Sequence, residues 1–257
     1  MSLTTKVAIP AGINAGVSSA KQSTMLNLLG RPRQSFDQHC REVTHPTLKK
    51  LIVTANVGPF RVTGLKPAVD SLKEVFDDVK ISNPTVFNAV GSAGMLCCRN
   101  VRGSHTAISN HSWGTAIDLY IDGQLDARGD GKVYQGLVDI YPFFHKHNWF
   151  WGAGFRTEDA MHFEASDELI RQWASAGKLS ATGAAAIALP DESLNLNDRG
   201  PEVVKLQEAL SSHGFPLKAD GKFGINTEET VMAFQEANGL KADGIVGKNT
   251  KEKLGIS

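Results

Sequence analysis

What the chain lacks narrows the field first. Its 257 residues hold only three cysteines, Cys40, Cys97 and Cys98. An odd count with two of them adjacent is not a disulfide framework, and no CxxC occurs. Cys40 could pair with one of the others after export, but buried free thiols are the favoured reading. No apolar run approaches the length of a membrane-crossing helix, so no membrane partner is expected. Neither sign of charge is in excess, with 27 Lys+Arg against 27 Asp+Glu. That balance removes the general argument for nucleic acid or an acidic surface as partner. No GxGxxG follows a strand and no GxxxxGK[ST] is present, so no phosphate-cradling loop is expected. The opening MSLTTKVAIPAGINAGVSS lacks the charged start and continuous apolar stretch of a signal peptide. The expectation is a chain made in the cytoplasm and, if it works outside, delivered by another route.

What is present is ordinary globular material, 41% hydrophobic and 21% charged, with one sharp compositional break. Residues 174–193, ASAGKLSATGAAAIALPDES, are dominated by small residues and hold no aromatic, which reads as a linker. The domain expectation is 1–175, a linker over 176–193, and a small domain over 194–257. Within the last, LKADGKFGINTEE (217–229) and LKADGIVGKNTKE (240–252) are identical at nine of thirteen positions, at a period of 23. Each copy has an Asp-Gly turn and then Asn-Thr-x-Glu, with Asn226/Glu229 and Asn249/Glu252 spaced as capping boxes. Upstream, Pro201 suits a first helical position, Val203, Leu206 and Leu210 form a stripe, and Gly214 terminates it. Val231 and Phe234 form the next stripe, which Gly239 stops. The pattern predicts a three-helix, all-α domain.

The larger segment is mixed. KPAVDSLKEVFDDVKI, 66–81, carries Val69, Leu72, Val75, Phe76 and Val79 on one helical face. VFNAV, GTAIDLYI and NWFWG have strand-like composition bounded by Gly or Asn. Strands and helices are interspersed without a regular βαβ alternation, so α+β is the expected class.

The chemistry concentrates in two short stretches. In ISNHSWGTAIDL, residues 108–119, a strand places Ile117 and Leu119 on one face and Asp118 on the other. A carboxylate in such a run needs a partner, and His111 lies beside it if the chain bends at Gly114. In TEDAMHFE, residues 157–164, Asp159 and His162 are three apart and would share one side of a helical turn. His111, Asp118 and His162 together make three metal ligands with a fourth position left for water, the arrangement of a catalytic zinc site. Asp159 then falls where a carboxylate outside the ligand set could take the water's proton.

These residues resemble the zinc D,D-peptidase superfamily, the M15 peptidases. Ser109, His111, Gly114, Ala116 and Asp118 match its Ser-x-His-x-x-Gly-x-Ala-x-Asp pattern. Asp159 and His162 occupy the places of its catalytic acid and third ligand. The resemblance implies a hedgehog-like domain with an antiparallel sheet and flanking helices, a Zn2+ cofactor and hydrolysis of a peptidoglycan stem peptide. An Asp rather than a Glu as the acid is the pattern of the phage endopeptidase branch, which points to the L-Ala-D-Glu bond and an endolysin. The family also places an arginine before the first ligand to meet substrate carbonyl or oxyanion; Arg99 fits better than Arg102. Likewise GPEVVKLQEALSSHG, DGKFGINTEETVMAFQEANGL and DGIVGKNTKEKL resemble the peptidoglycan-binding domain 1 family across 194–257, which implies peptidoglycan as the partner of a monomeric enzyme. The alternatives are a D-alanyl-D-alanine carboxypeptidase with the same site, an inactive wall-binding protein, and a glycosidase with two carboxylates and no metal.

Other candidates have plainer readings. Trp113 and Trp151 are core aromatics before they are cleft walls. His145 and His147 have no carboxylate at a ligating spacing downstream and read as a helix end or solvated surface. His105 is a loop residue. Glu164 shares a strand face with His162 and could orient it or form a surface salt bridge, and Glu158 is a distant alternative base. DGQLDARGDGK, residues 122–132, lacks the ligand spacing of a calcium loop and reads as an exposed turn.

Overall fold

A computed structural model describes residues 2–179, 193–194 and 198–256. In chain order the elements are β1 (Lys6–Ala8), α1 (Gln22–Leu29), α2 (Pro46–Leu51), β2 (Ile52–Asn56), β3 (Arg61–Leu65), α3 (Lys66–Ser82), α4 (Pro84–Ala89) and β4 (Val90–Gly94). There follow β5 (Ala116–Ile121), β6 (Lys132–Tyr134), α5 (Gln135–Lys146), β7 (Trp149–Trp151), β8 (His162–Ala165) and α6 (Asp167–Ser175), then α7 (Pro201–Ser212), α8 (Ile225–Ala237) and α9 (Lys248–Leu254). The class is α+β, as expected. The described residues fall into two compact units. The first draws on Met1–Lys21 and Pro32–Ala186, the second on Gln22–Arg31 and Ile187–Ser257. Most of the expected linker, residues 180–192, lies outside the described residues.

The first unit is organised on an antiparallel four-stranded sheet of order β4-β5-β8-β7. β5 alternates as its sequence requires: Ile117, Leu119 and Ile121 are fully buried on one side, and Asp118 takes the other. Its register with β8 sets Asp118 directly opposite His162, Ile117 opposite Phe163 and Ala116 opposite Glu164. On the apolar side Phe163 meets Phe144 of α5, and Phe144 meets Phe76 of α3. The α3 stripe of Val69, Leu72, Val75, Phe76 and Val79 is wholly buried, each side chain contributing about 1.5–3 kcal/mol by leaving water. Two-stranded pairs β1-β6 and β2-β3 complete the strands. Trp113 and Trp151 are core residues.

Two expectations about this unit change. VFNAV is mostly helix, because Asn83 caps α4 by accepting from Val86 N at 3.2 Å and Pro84 sits at its first position. That start signal overrides the strand propensity of the aliphatics. Cys40 and Cys97, expected as free thiols, are a disulfide with Cα atoms 4.9 Å apart. Cys98 stays free and buried, and burial pushes its thiol up to about 11.

The second unit contains the expected helices around Val203, Leu206, Leu210, Phe223, Val231, Phe234, Val246 and Leu254. Helix α1 groups with it, a feature absent from the sequence reading; Arg31 Nη1 lies 2.8 Å from Glu228 Oε2. The repeat has a common polar signature. Gln207 donates to Asp220, the Lys222 carbonyl and Thr227 and accepts from Gly221 N. Gln235 does the same with Asp243, the Ile245 carbonyl, Thr250 and Gly244 N. The capping boxes do not form. α8 and α9 begin directly after extended Gly224 and Gly247, so Asn226 and Asn249 lie inside the first turn.

Candidate metal centre

His111 sits in a 3-10 turn over Asn110–Trp113 that Gly114 closes in a left-handed conformation, φ +67°. Any Cβ at Gly114 would stand 2.8 Å from the backbone of Gly64 and Leu65. Its carbonyl accepts from Leu65 N at 2.9 Å. Only glycine permits both the turn and that approach, and the turn swings His111 back over the polar face of β5. Asp118 and His162 need no such device, since they are cross-strand partners, side by side on one face. His162 does not share a helical turn with Asp159, as the spacing suggested. Residues 159–162 form a tight turn, with His162 N donating to Asp159 O at 3.0 Å, and β8 begins at once because its residues pair with β5.

The three side chains converge. His111 Nε2, Asp118 Oδ1 and His162 Nδ1 form a triangle with every edge 3.2 Å. Among the described residues this is the group of His, Cys, Asp and Glu placed to hold a metal ion. Ligand atoms at the ~2.0–2.2 Å bond lengths of a tetrahedral site stand about 3.3 Å apart. The protons make the same point. His111 Nδ1 lies 2.8 Å from the Met95 carbonyl, which can only accept, so Nδ1 carries the hydrogen and a neutral ring turns its Nε2 lone pair inward. His162 Nε2 lies 2.8 Å from Glu164 Oε2, so that nitrogen donates and leaves Nδ1 facing inward. Asp118 adds a carboxylate oxygen. Three acceptors aimed at one point repel unless a cation sits between them. The site therefore fits a cation, either a proton on His162 or a metal.

The titration behaviour follows. Burial pushes the Asp118 carboxyl up, but its contacts with His111 and His162 outweigh it and hold Asp118 well below the usual range. Burial lowers His162, while its bonds to Asp118 and Glu164 outweigh that and raise it to about 10. Glu164, which burial would raise, is kept low by His162, Ser19 and Asn110. It is buried and saturated: Oε1 accepts from Ser19 Oγ at 2.6 Å and Ala20 N at 3.0 Å, and Oε2 from Asn110 Nδ2 at 2.9 Å as well as from His162. The salt bridge Glu164 makes is thus interior, and it fixes the ring of His162.

Asp159 lies three residues before His162 with Oδ1 buried and, among the described residues, without a hydrogen-bond partner. Its Oδ2 is 3.5 Å from Arg128 Nε. Glu158, the alternative base, is engaged by the neighbouring loop. Its Oε1 accepts from Gly131 N at 2.7 Å and its carbonyl from Gly129 N at 3.2 Å. Arg99 is half-buried and feels the charges of Asp118, Asp159, Arg102 and Arg128; burial and the two guanidiniums lower its proton affinity, and the two carboxylates oppose them. Ser112 Oγ joins its backbone to the His111 turn, accepting from Arg99 N at 3.1 Å. His147 pairs with Asp78 at 2.8 Å, and His145 with the Ala15 carbonyl at 3.0 Å, so both are taken up by structure.

Residues 102–165, which hold all three converging side chains, match the family model described as D-alanyl-D-alanine carboxypeptidase, of the M15 peptidases. Residues 199–254 match a peptidoglycan binding domain. The chain joins an M15-family domain to a peptidoglycan-binding domain. Among curated proteins, a Bacillus licheniformis protein that carries the name N-acetylmuramoyl-L-alanine amidase is 43% identical over 58 residues, 21% of this chain and 16% of that one. A spore cortex-lytic enzyme of Bacillus cereus is 37% identical over 68 residues, 26% of each. The chain thus spans about a quarter or less of the curated relatives it matches. The solved endolysin of Burkholderia phage AP3 is 44% identical over 24% of each chain with a TM-score of 0.24, a likeness too local to bear on the fold.

Three features of the M15 domain escaped the sequence. Arg128 belonged to a stretch read as an exposed turn. The Met95 carbonyl could not be seen to orient His111, because no side-chain pattern marks a backbone acceptor. Gly152 is packed so closely that a Cβ would stand 2.5 Å from Asp159 O and 3.0 Å from His162 Cβ. Its only signal was the Trp-Gly pair.

Proposed function

We propose that the chain is a zinc-dependent peptidoglycan peptidase that cuts the L-Ala-D-Glu bond of the stem peptide, with its C-terminal domain retaining it on the polymer. The observation that carries this reading is the 3.2 Å triangle of inward acceptors on His111, Asp118 and His162, in a segment matching the M15 family. Two imidazoles and one carboxylate suit zinc. A zinc ion held there supplies a Lewis acid for the scissile carbonyl and a water that loses its proton near neutral pH. Asp159 is the base: its unbonded Oδ1 accepts the water's proton, and the same carboxyl returns it to the leaving amine. Arg99 donates to the carbonyl oxygen as negative charge grows there. The binding domain contributes local concentration on an insoluble substrate rather than chemistry.

No helix among the described residues is long and apolar enough to cross a membrane, and the proposed place of work is the cell wall, reached by release or export. Mass spectrometry of muropeptides after digestion, with and without chelator, is the test. New N-terminal D-Glu and abolition by chelator are expected. Loss of one terminal alanine would favour the D-alanyl-D-alanine carboxypeptidase reading, and no turnover with zinc loaded would favour a wall-binding protein. Asp159→Ala should keep zinc and lose about 100-fold or more in kcat, whereas His162→Ala should lose both.

A further inference from the structure

The loop 122–131 is anchored on both sides of Arg128. Before it, buried Asp126 accepts from Lys6 Nζ at 2.8 Å and from Tyr134 N at 2.6 Å. After it, Gly129 N and Gly131 N donate to the carbonyl and carboxyl of Glu158. Glu158 is the residue next to Asp159, so the same contacts that fix the loop register Arg128 against the proposed base. Arg128 Nε faces Asp159 Oδ2 at 3.5 Å. Among the described residues its guanidinium has no other hydrogen-bond or ion-pair partner, which leaves the Nη1/Nη2 fork open. Arg99 feels the charge of Arg128 as well as those of Asp118 and Asp159. The guanidinium of Arg128 therefore stands beside the proposed base, on a loop whose backbone is anchored on either side of it.

An arginine fork presented beside a reacting centre is suited to one ligand chemistry above others, a planar carboxylate. On the peptidase reading, such a group lies beside the bond. D-Glu joined to L-Ala through its amine continues the stem through its γ-carboxyl, which leaves its α-carboxylate free on the leaving side. We propose that Arg128 is a specificity residue that binds this α-carboxylate and makes the M15 domain select stem peptides in which it is not amidated. The inference rests on the peptidase reading proposed above.

The test uses the full zinc-loaded chain and two soluble stem peptides that differ only in carrying an α-carboxylate or an α-carboxamide on the D-Glu residue. The readout is the ratio of their kcat/KM values. Damage to Asp159 caused by removing its neighbour would slow both peptides alike and cancel in that ratio. Wild type should favour the carboxylate about tenfold or more, as expected for a charge-assisted bond. Arg128→Ala should bring the ratio to within about threefold of unity, and Arg128→Lys, which keeps charge but not the fork, should fall between. An Arg128→Ala ratio equal to that of wild type, or no preference in wild type, overturns the proposal while leaving the peptidase reading intact. Cleavage of neither peptide by the zinc-loaded wild type overturns both. Melting temperature and zinc content of each variant show that the fold and metal site are retained.

Discussion

Glu164 offers the most discriminating perturbation of the candidate metal centre, because it touches His162 and none of the three inward-facing acceptor atoms. Glu164→Gln conserves volume and replaces one carboxylate oxygen by an amide NH2. Both oxygens serve two donors, Ser19 Oγ and Ala20 N on one, Asn110 Nδ2 and His162 Nε2 on the other. Whichever way the amide turns, its NH2 faces donors. Turned toward Ser19, that hydroxyl can rotate to accept, but Ala20 N loses its acceptor; turned the other way, Asn110 and His162 both lose theirs. The first orientation costs less, and even it removes a charge-assisted bond and strands a buried donor. The combined loss is about 2–5 kcal/mol, a fall in melting temperature of roughly 5–15 °C for a chain of this size. A histidine ligand whose outer partner is weakened should also bind zinc about 10–100-fold less tightly. Calorimetric melts and zinc competition against a chromogenic chelator measure the two quantities on one preparation. Zinc affinity within about threefold of wild type would refute the argument that Glu164 sets the His162 ring, whatever happens to the melt.

Gly114→Ala should destabilise the M15 domain by about 3 kcal/mol or more, since its Cβ would meet the Gly64 and Leu65 backbone at 2.8 Å in a φ +67° conformation; chemical denaturation measures this, and a near-neutral result would mean that the turn can relax without His111. Breaking the Cys40–Cys97 bridge, whose cysteines are 57 residues apart in sequence, should cost about 4 kcal/mol on the loop-entropy estimate. It should also lower activity, because Cys97 lies two residues from both Met95, whose carbonyl meets His111, and Arg99; assays of Cys40→Ser/Cys97→Ser against wild type decide this. Metal-free protein should melt at lower temperature as pH rises. His162 goes from an ordinary 6.5 to about 10 in the fold, so its contribution is complete below about pH 6.5 and disappears as pH approaches 10. Zinc-loaded protein, in which the ring cannot carry that proton, should show no such slope over the same interval.

Much of the site was legible because its signals are local. The alternation of Ile117, Asp118 and Leu119 requires only that the segment be a strand, and Gly114 announces a turn by being glycine within a polar run. The repeat in the second unit was visible as identity at fixed spacing, and its apolar stripes became its core. Errors arose where a local preference met a stronger competitor. VFNAV has strand propensity, but an Asn-Pro start signal converted it to helix. The Asp159–His162 spacing suits a helical turn, yet pairing with β5 drew His162 into a strand. Asn226 and Asn249 had capping-box spacing, but the preceding glycines started each helix earlier.

The sequence by itself determined the residue types and their order: two histidines, an aspartate, an acid three residues before the second histidine, and two families' motifs in succession. It could do so because motif chemistry depends on identity and spacing along one chain. Only the tertiary structure decided that Asp118 and His162 are cross-strand partners, that the Met95 carbonyl orients His111, that Cys40 meets Cys97, and that Arg128 stands against Asp159. Each of these joins segments far apart in the chain, and such contacts are set by strand register and loop anchoring, which no local pattern encodes.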